Sequence, residues 1–169
     1  ALGGGSGNNF LNVQSGTATI TTLSINTTFA STTSLTGGTL EVDKITTSNV
    51  GTYTINLDGG TLKAGAGASG AFMSGLTNAY VKSNGAKIDS NGKNITIAQN
   101  LVDFTTPSGG GLTLNDTAVT KGTLTLSGTG NTYTGATTIK AGTLKVNTST
   151  TISSSSSIVF WGISAMRAM

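Results

Sequence analysis

Six carboxylates, Glu41, Asp43, Asp58, Asp89, Asp103 and Asp116, carry nearly all the acid–base chemistry open to this 169-residue chain. It has no histidine and no cysteine, and its one arginine, Arg167, stands in the C-terminal tail. Glycan lyases and hydrolases need carboxylates plus a base or cation converging on an exposed groove. The nearest approach to that set is Glu41 and Asp43, two apart on one strand, with Lys63 about one repeat further on. These three read first as a solvated strand face with a weak ion pair, and a surface glycan contact is the alternative. Nucleophile–base sets need partners this chain lacks. The expectation is therefore no enzyme, with no catalytic residue, no metal ligand and no cofactor-binding residue.

Three further patterns have chemical meanings elsewhere. Gly65 to Gly70 reads G-A-G-A-S-G, formally a dinucleotide fingerprint with Asp89 beyond it, but nothing after Gly70 reads as the helix whose N-terminal amides would hold a pyrophosphate. Acidic residues at calcium-loop offsets do not occur, and the N-x-S/T acceptors at Asn26, Asn94, Asn115 and Asn147 follow from abundant Ser and Thr. Thr17 with Thr19, Thr52 with Thr54 and Thr123 with Thr125 are T-x-T pairs of the kind that ice-binding solenoids align, though Glu41, Lys63 and Lys145 interrupt the column.

The elements that would position these residues announce themselves by repetition. G-G-T-L-E-V runs from Gly37 to Val42, G-G-T-L-K-A from Gly59 to Ala64, K-G-T-L-T-L from Lys121 to Leu126 and A-G-T-L-K-V from Ala141 to Val146. The glycines Gly38, Gly60, Gly122 and Gly142 recur at about 20 residues or multiples of it, the period of a solenoid. Strict alternation within each phrase places Leu40, Val42, Leu62, Ala64, Ile95, Ile97, Leu124, Leu126, Ile139, Leu144 and Val146 inside. Glu41, Lys63, Thr96, Lys140 and Lys145 then face outward. Coils of roughly 20 to 25 residues stacked at about 4.8 Å predict about seven coils and a rod about 35 Å long. The first and last coils expose strand edges unless something covers them.

Two stretches break the pattern. Gly65 to Tyr80 alternates poorly and carries Phe72 and Met73, which predicts a loop or a wider coil protruding from the rod. From Ser153 the chain runs through serines into I-V-F-W-G-I-S-A-M-R-A-M, which matches none of the repeats. The organisation expected is a repeat domain over residues 1–152, strongest at 80–146, and a tail over 153–169 that caps the rod or assembles it. Ile158, Val159, Phe160, Trp161 and Ile163 are the candidate assembly segment.

Composition agrees with an all-β coil. Only 9% of residues are charged and 5% aromatic, while 25 glycines and abundant Thr, Ser and Asn suit short strands joined by tight bends. The net charge of +3 comes from dispersed lysines, so nucleic acid is not an expected partner. No apolar run is long enough to span a bilayer as a helix. A start at Ala1 with no leader reads as a mature product or an excised fragment.

The segment Gly109 to Val146 resembles the passenger-associated strand repeat of autotransporters. The likeness rests on G-G-G-L-T-L, G-T-L-T-L-S-G and N-T-Y-T-G-A-T-T-I-K-A-G-T-L-K-V. The run from Tyr80 to Leu101 is similar to the segment preceding such repeats in large bacterial surface proteins. Together they cover nearly half the chain. The resemblance implies a right-handed parallel β-helix, exported and displayed on, or shed from, a Gram-negative-type cell surface, and implies no activity by itself. The functional expectation is a non-enzymatic extracellular structural or adhesive β-solenoid, self-associating through its ends, with a host or matrix glycan or protein as partner. A glycan-binding or glycan-processing β-helix and an ice-binding solenoid are the alternatives.

Overall fold

The computed structural model describes residues 8–25, 29–47, 51–105, 109–147 and 152–161. Their sixteen strands pair in parallel throughout and wind into a β-solenoid of about six turns, close to the seven expected, with almost no helix. The first turn holds β1 (Asn9–Val13) and β2 (Thr17–Ile25), the second β3 (Ser31–Leu35) and β4 (Thr39–Thr47). The third holds β5 (Tyr53–Leu57), β6 (Thr61–Ala64) and β7 (Gly70–Met73), the fourth β8 (Asn78–Val81), β9 (Ala86–Asp89) and β10 (Asn94–Ile97). The fifth holds β11 (Leu101–Asp103), β12 (Leu112–Asn115) and β13 (Thr123–Leu126), the sixth β14 (Thr137–Ala141) and β15 (Thr143–Val146). A last strand, β16 (Ile158–Phe160), opens a further turn.

Three faces result. The first is the sheet β1-β3-β5-β8-β11. The long strands β2 and β4 run through the next corner, so their two halves serve two faces: Thr39–Val42 pairs with β6, whereas Ile45 pairs with Met73 of β7. The second face therefore continues β6-β9-β12-β14-β16, and the third β7-β10-β13-β15. The G-T-L phrase accordingly lies on two faces. Thr39 lies over Thr61 on the second, while Thr123 lies over Thr143 on the third. The phrase encodes a corner followed by a strand, and it is used at corners leading into either face.

Coil length varies more than the phrase suggests. Asn56 bonds to Ser34 at a separation of 22 residues, Asn84 to Asp58 at 26 and Thr123 to Asn94 at 29. The glycine of the phrase answers to backbone stacking: a Cβ on Gly60 would lie 2.6 Å from the Gly37 carbonyl oxygen and 2.7 Å from Leu35 Cγ. Only a residue without Cβ lets one corner rest directly on the last.

Inward side chains form the apolar columns expected from alternation. Leu40, Leu62, Ile88 and Leu114 stack under the second face, and Ile45, Met73, Ile97 and Leu126 under the third, all buried. Ile139, Leu144 and Val146 face the same core but are only partly covered near the end of the rod. Gly65 to Tyr80 is not a protrusion. It contributes β7 and the start of β8, and Phe72 and Met73 are fully buried. The register slips where β7 pairs with β10, so two consecutive side chains turn inward and the alternation on which the sequence reading relied is lost.

Toward the C-terminal turns the interior becomes polar. Asp103 stands below Val81 in an inward column and accepts bonds from Thr134 N and Oγ1. The buried Tyr133 hydroxyl bonds to Thr137 Oγ1, which in turn bonds to Ser155 Oγ. Burial pushes the Tyr133 phenol above its usual range, against the smaller opposing effect of the Thr137 bond.

Candidate functional site

The aspartates, which alternation alone leaves free for surface chemistry, are engaged at the corners. Asp43 accepts the Gly67 amide of the next turn at 3.0 Å, and Asp58 accepts the amide and side chain of Asn84. Asp89 takes the amides of Asn91 and Thr117 and the Thr117 hydroxyl, the last at 2.6 Å. Asn91 adopts a left-handed φ of 49°, which its side chain supports by donating to the Ala64 carbonyl.

Asp116 is the most elaborate of these caps. It is 1% exposed and accepts the amides of Gly92, Ala118 and Gly122 and the Ser90 hydroxyl, so it ties two turns together. Burial alone pushes its carboxyl up. The four donors outweigh that and hold it below the ordinary aspartate value of 3.8. These spacings reflect a recurrent need: each corner leaves amides without strand partners, and a short acceptor side chain from an adjacent turn satisfies them.

Glu41 behaves differently. On the outer side of the second face it pairs with Lys63 of the next turn at 3.0 Å, as their strand register requires. Asp43, two residues on, has its carboxylate at the following corner against Gly67, so the expected trio divides into an ion pair and a cap. Glu41 and Lys63 line a groove of about 380 Å³ that follows the rod axis across several turns. Thr17, Thr39 and Thr61 form a threonine column at one end, continued by Lys87, Thr113 and Thr138. Lys87, Asp89, Asn115, Thr117 and Lys140 complete the groove's polar lining. Among the described residues, no cluster of His, Cys, Asp or Glu is arranged to hold a metal ion.

The sequence names neither Lys87 nor Lys140 as a site residue, although it places Lys140 outward. The signal was present, because alternation puts both outward. What hid them was coil length, since Lys87 joins the Thr39 and Thr61 column only through a longer turn.

The tail residues belong to this same face. β16 pairs in parallel with β14, setting Ile158 against Thr137 and Phe160 against Ile139. Both therefore point along the inward columns, yet they are 51% and 47% exposed because nothing among the described residues covers them. Val159 alternates to the outer side, and Trp161 follows it, 64% exposed with the Lys140 ammonium 5.2 Å from its ring centre. Ile163 lies outside the described residues.

Residues 121–146, which span β13, β14 and β15, match the family model described as passenger-associated-transport-repeat. With the β-solenoid fold, this match fits the autotransporter passenger repeat family that the sequence resembles. No curated protein and no solved structure matches the chain.

Proposed function

We propose that this chain, a parallel β-solenoid carrying a passenger-associated transport repeat, is a non-enzymatic structural or adhesive rod, secreted or displayed on a bacterial surface, whose copies join end to end. The transport repeat supports the extracellular location. Among the described residues no helix is long and apolar enough to cross a membrane. The corner-capping role of the aspartates supports a scaffold over a catalyst, because their carboxylates are held by backbone amides.

The observation that carries the end-to-end reading is the pair Ile158 and Phe160, in register with the interior columns on a strand edge that is unpaired and uncovered among the described residues. At the other end, β2 offers a nine-residue parallel edge with the same pleat. A second copy translated along the rod axis would lay the first half of its β2 against β16, burying the exposed apolar groups while continuing the ladder. Negative-stain electron microscopy and sedimentation over a range of concentrations test this. Filaments one solenoid wide that grow with concentration, and that Phe160→Lys shortens, are expected. Isolated short rods at every concentration, indifferent to Phe160→Lys, would refute it.

The ice-binding alternative is less well supported. Lys87 breaks the threonine column, and the neighbouring outward column reads Thr19, Glu41, Lys63 and Asp89 in register. With charged residues in both columns, and Asp89 turned to its own bonds with Asn91 and Thr117, the face does not make a flat hydroxyl array.

A further inference from the structure

The groove along the second face has a charge pattern that its fold does not use. Its two acids are both engaged: Glu41 with Lys63, and Asp89 with Thr117 and Asn91. Lys87 is exposed, with no carboxylate, carbonyl or ring partner among the described residues. Lys140 is also exposed and, among the described residues, meets only the face of Trp161. Lys140 further lines a second, more apolar recess of about 360 Å³, together with Ile139, Leu144, Phe160 and Trp161. The two hollows share that lysine, so a hydroxyl-rich trough with spare cationic groups runs directly to an exposed indole.

We propose that this trough binds a linear acidic polysaccharide lying along the rod axis. Lys87 and Lys140 pair with its anionic groups, Thr113, Asn115 and Thr117 meet its hydroxyls, and Trp161 stacks on a sugar face. The spacing favours this occupant. Residues in successive turns of a parallel sheet sit about 4.8 Å apart, so the trough presents a regular ladder of polar groups to an equally regular linear polymer. Lysine, a compact and rotatable point charge, suits single carboxylates or sulfates spread along such a chain. An aromatic ring with one open face supplies apolar contact without requiring a closed pocket. Charge of one sign left over in the trough also steers an anionic chain toward it, an effect that weakens with salt.

Trp161 is the only tryptophan in the chain, so its fluorescence reports on occupancy directly. The full chain is titrated with oligogalacturonate, with a heparin-derived oligosaccharide, with a neutral cello-oligosaccharide and with oligo(dT), at low and at physiological salt. The expected result is a saturable Trp161 signal with an acidic glycan, with Lys87→Gln and Lys140→Gln each weakening binding about fivefold. Lys145→Gln, an exposed lysine on the third face, should leave binding unchanged. Binding of both acidic glycans means a carboxylate suffices, whereas binding of the heparin fragment alone assigns the anion as sulfate. No binding of either, equal binding of the neutral glycan, equal binding of oligo(dT), or an equal loss in Lys145→Gln would each overturn the proposal.

Discussion

At the scale of the residue, the solenoid's buried polar side chains are held by hydrogen bonds at the corners and in the interior. Thr33 is an exception. It sits fully buried in an inward column between Leu11 and Ile55, and its hydroxyl has no hydrogen-bond partner among the described residues. Replacing that hydroxyl with a methyl of similar volume should remove an unmet desolvation cost. Thr33→Val is therefore expected to stabilise the fold by about 1–2 kcal/mol in urea denaturation, and a destabilised variant would show that the hydroxyl is satisfied. Asp116 is the opposite case. Its carboxyl is held below 3.8 in the fold, so the stability it adds is present in full above its unfolded value of about 3.9 and is lost as the pH falls through the lower folded value. Below about pH 4 the wild type should lose stability more steeply than Asp116→Ala. At neutral pH the same variant, which leaves the Gly92, Ala118 and Gly122 amides without their acceptor, should be weaker by about 3 kcal/mol or more. Parallel acid titrations of the two proteins would show that the linkage lies elsewhere.

At the scale of the element, what matters is how one strand and its corner sit on the next. The G-T-L phrase made strand and corner readable, and alternation placed most core residues correctly, from Leu40 to Leu126. Alternation failed at Phe72 and Met73 because a register slip in β7 turned both inward, and a bulge leaves little trace in a sequence already rich in glycine. The corner glycines can be tested individually. Gly60→Ala forces a Cβ against the Gly37 carbonyl and the Leu35 side chain, and should cost about 1–3 kcal/mol by overpacking. At Gly16 the added Cβ meets nothing within 4 Å and only the φ of 66° is strained, so Gly16→Ala should cost less when the two are compared by urea denaturation. Equal losses would mean that the close approach at Gly60 costs no more than the strained φ at Gly16.

At the scale of the molecule, each turn contacts only its neighbours, so the interior need not be uniform along the axis. It is mostly apolar through the early turns, Ser31 and Thr33 aside, and becomes carboxylate-bearing and richer in hydroxyls around Asp103, Tyr133 and Thr137. The last strand then presents Ile158 and Phe160 with nothing over them among the described residues. Filament growth dependent on Phe160 belongs to this scale, because it follows from the open end of a translational stack. Acidic glycan binding belongs here too, because a trough shared by β6, β9, β12 and β14 exists only once several turns are in register.

Local chemistry determined much of this protein before any tertiary contact. Threonine and glycine in alternating phrases made it an all-β coil, the phrase Asn131 to Val146 carried the transport-repeat likeness, and the pairing of Glu41 with Lys63 followed from two phrases one repeat apart. These features were legible because strand alternation and corner geometry act over a few residues. Register over longer distances was not. Turns of unequal length decide which residues share a face, and those lengths are set where one corner can rest on another. Only the tertiary structure, therefore, divided the G-T-L phrases between two faces, bound the aspartates to neighbouring turns, and aligned Lys87 and Lys140 along one trough.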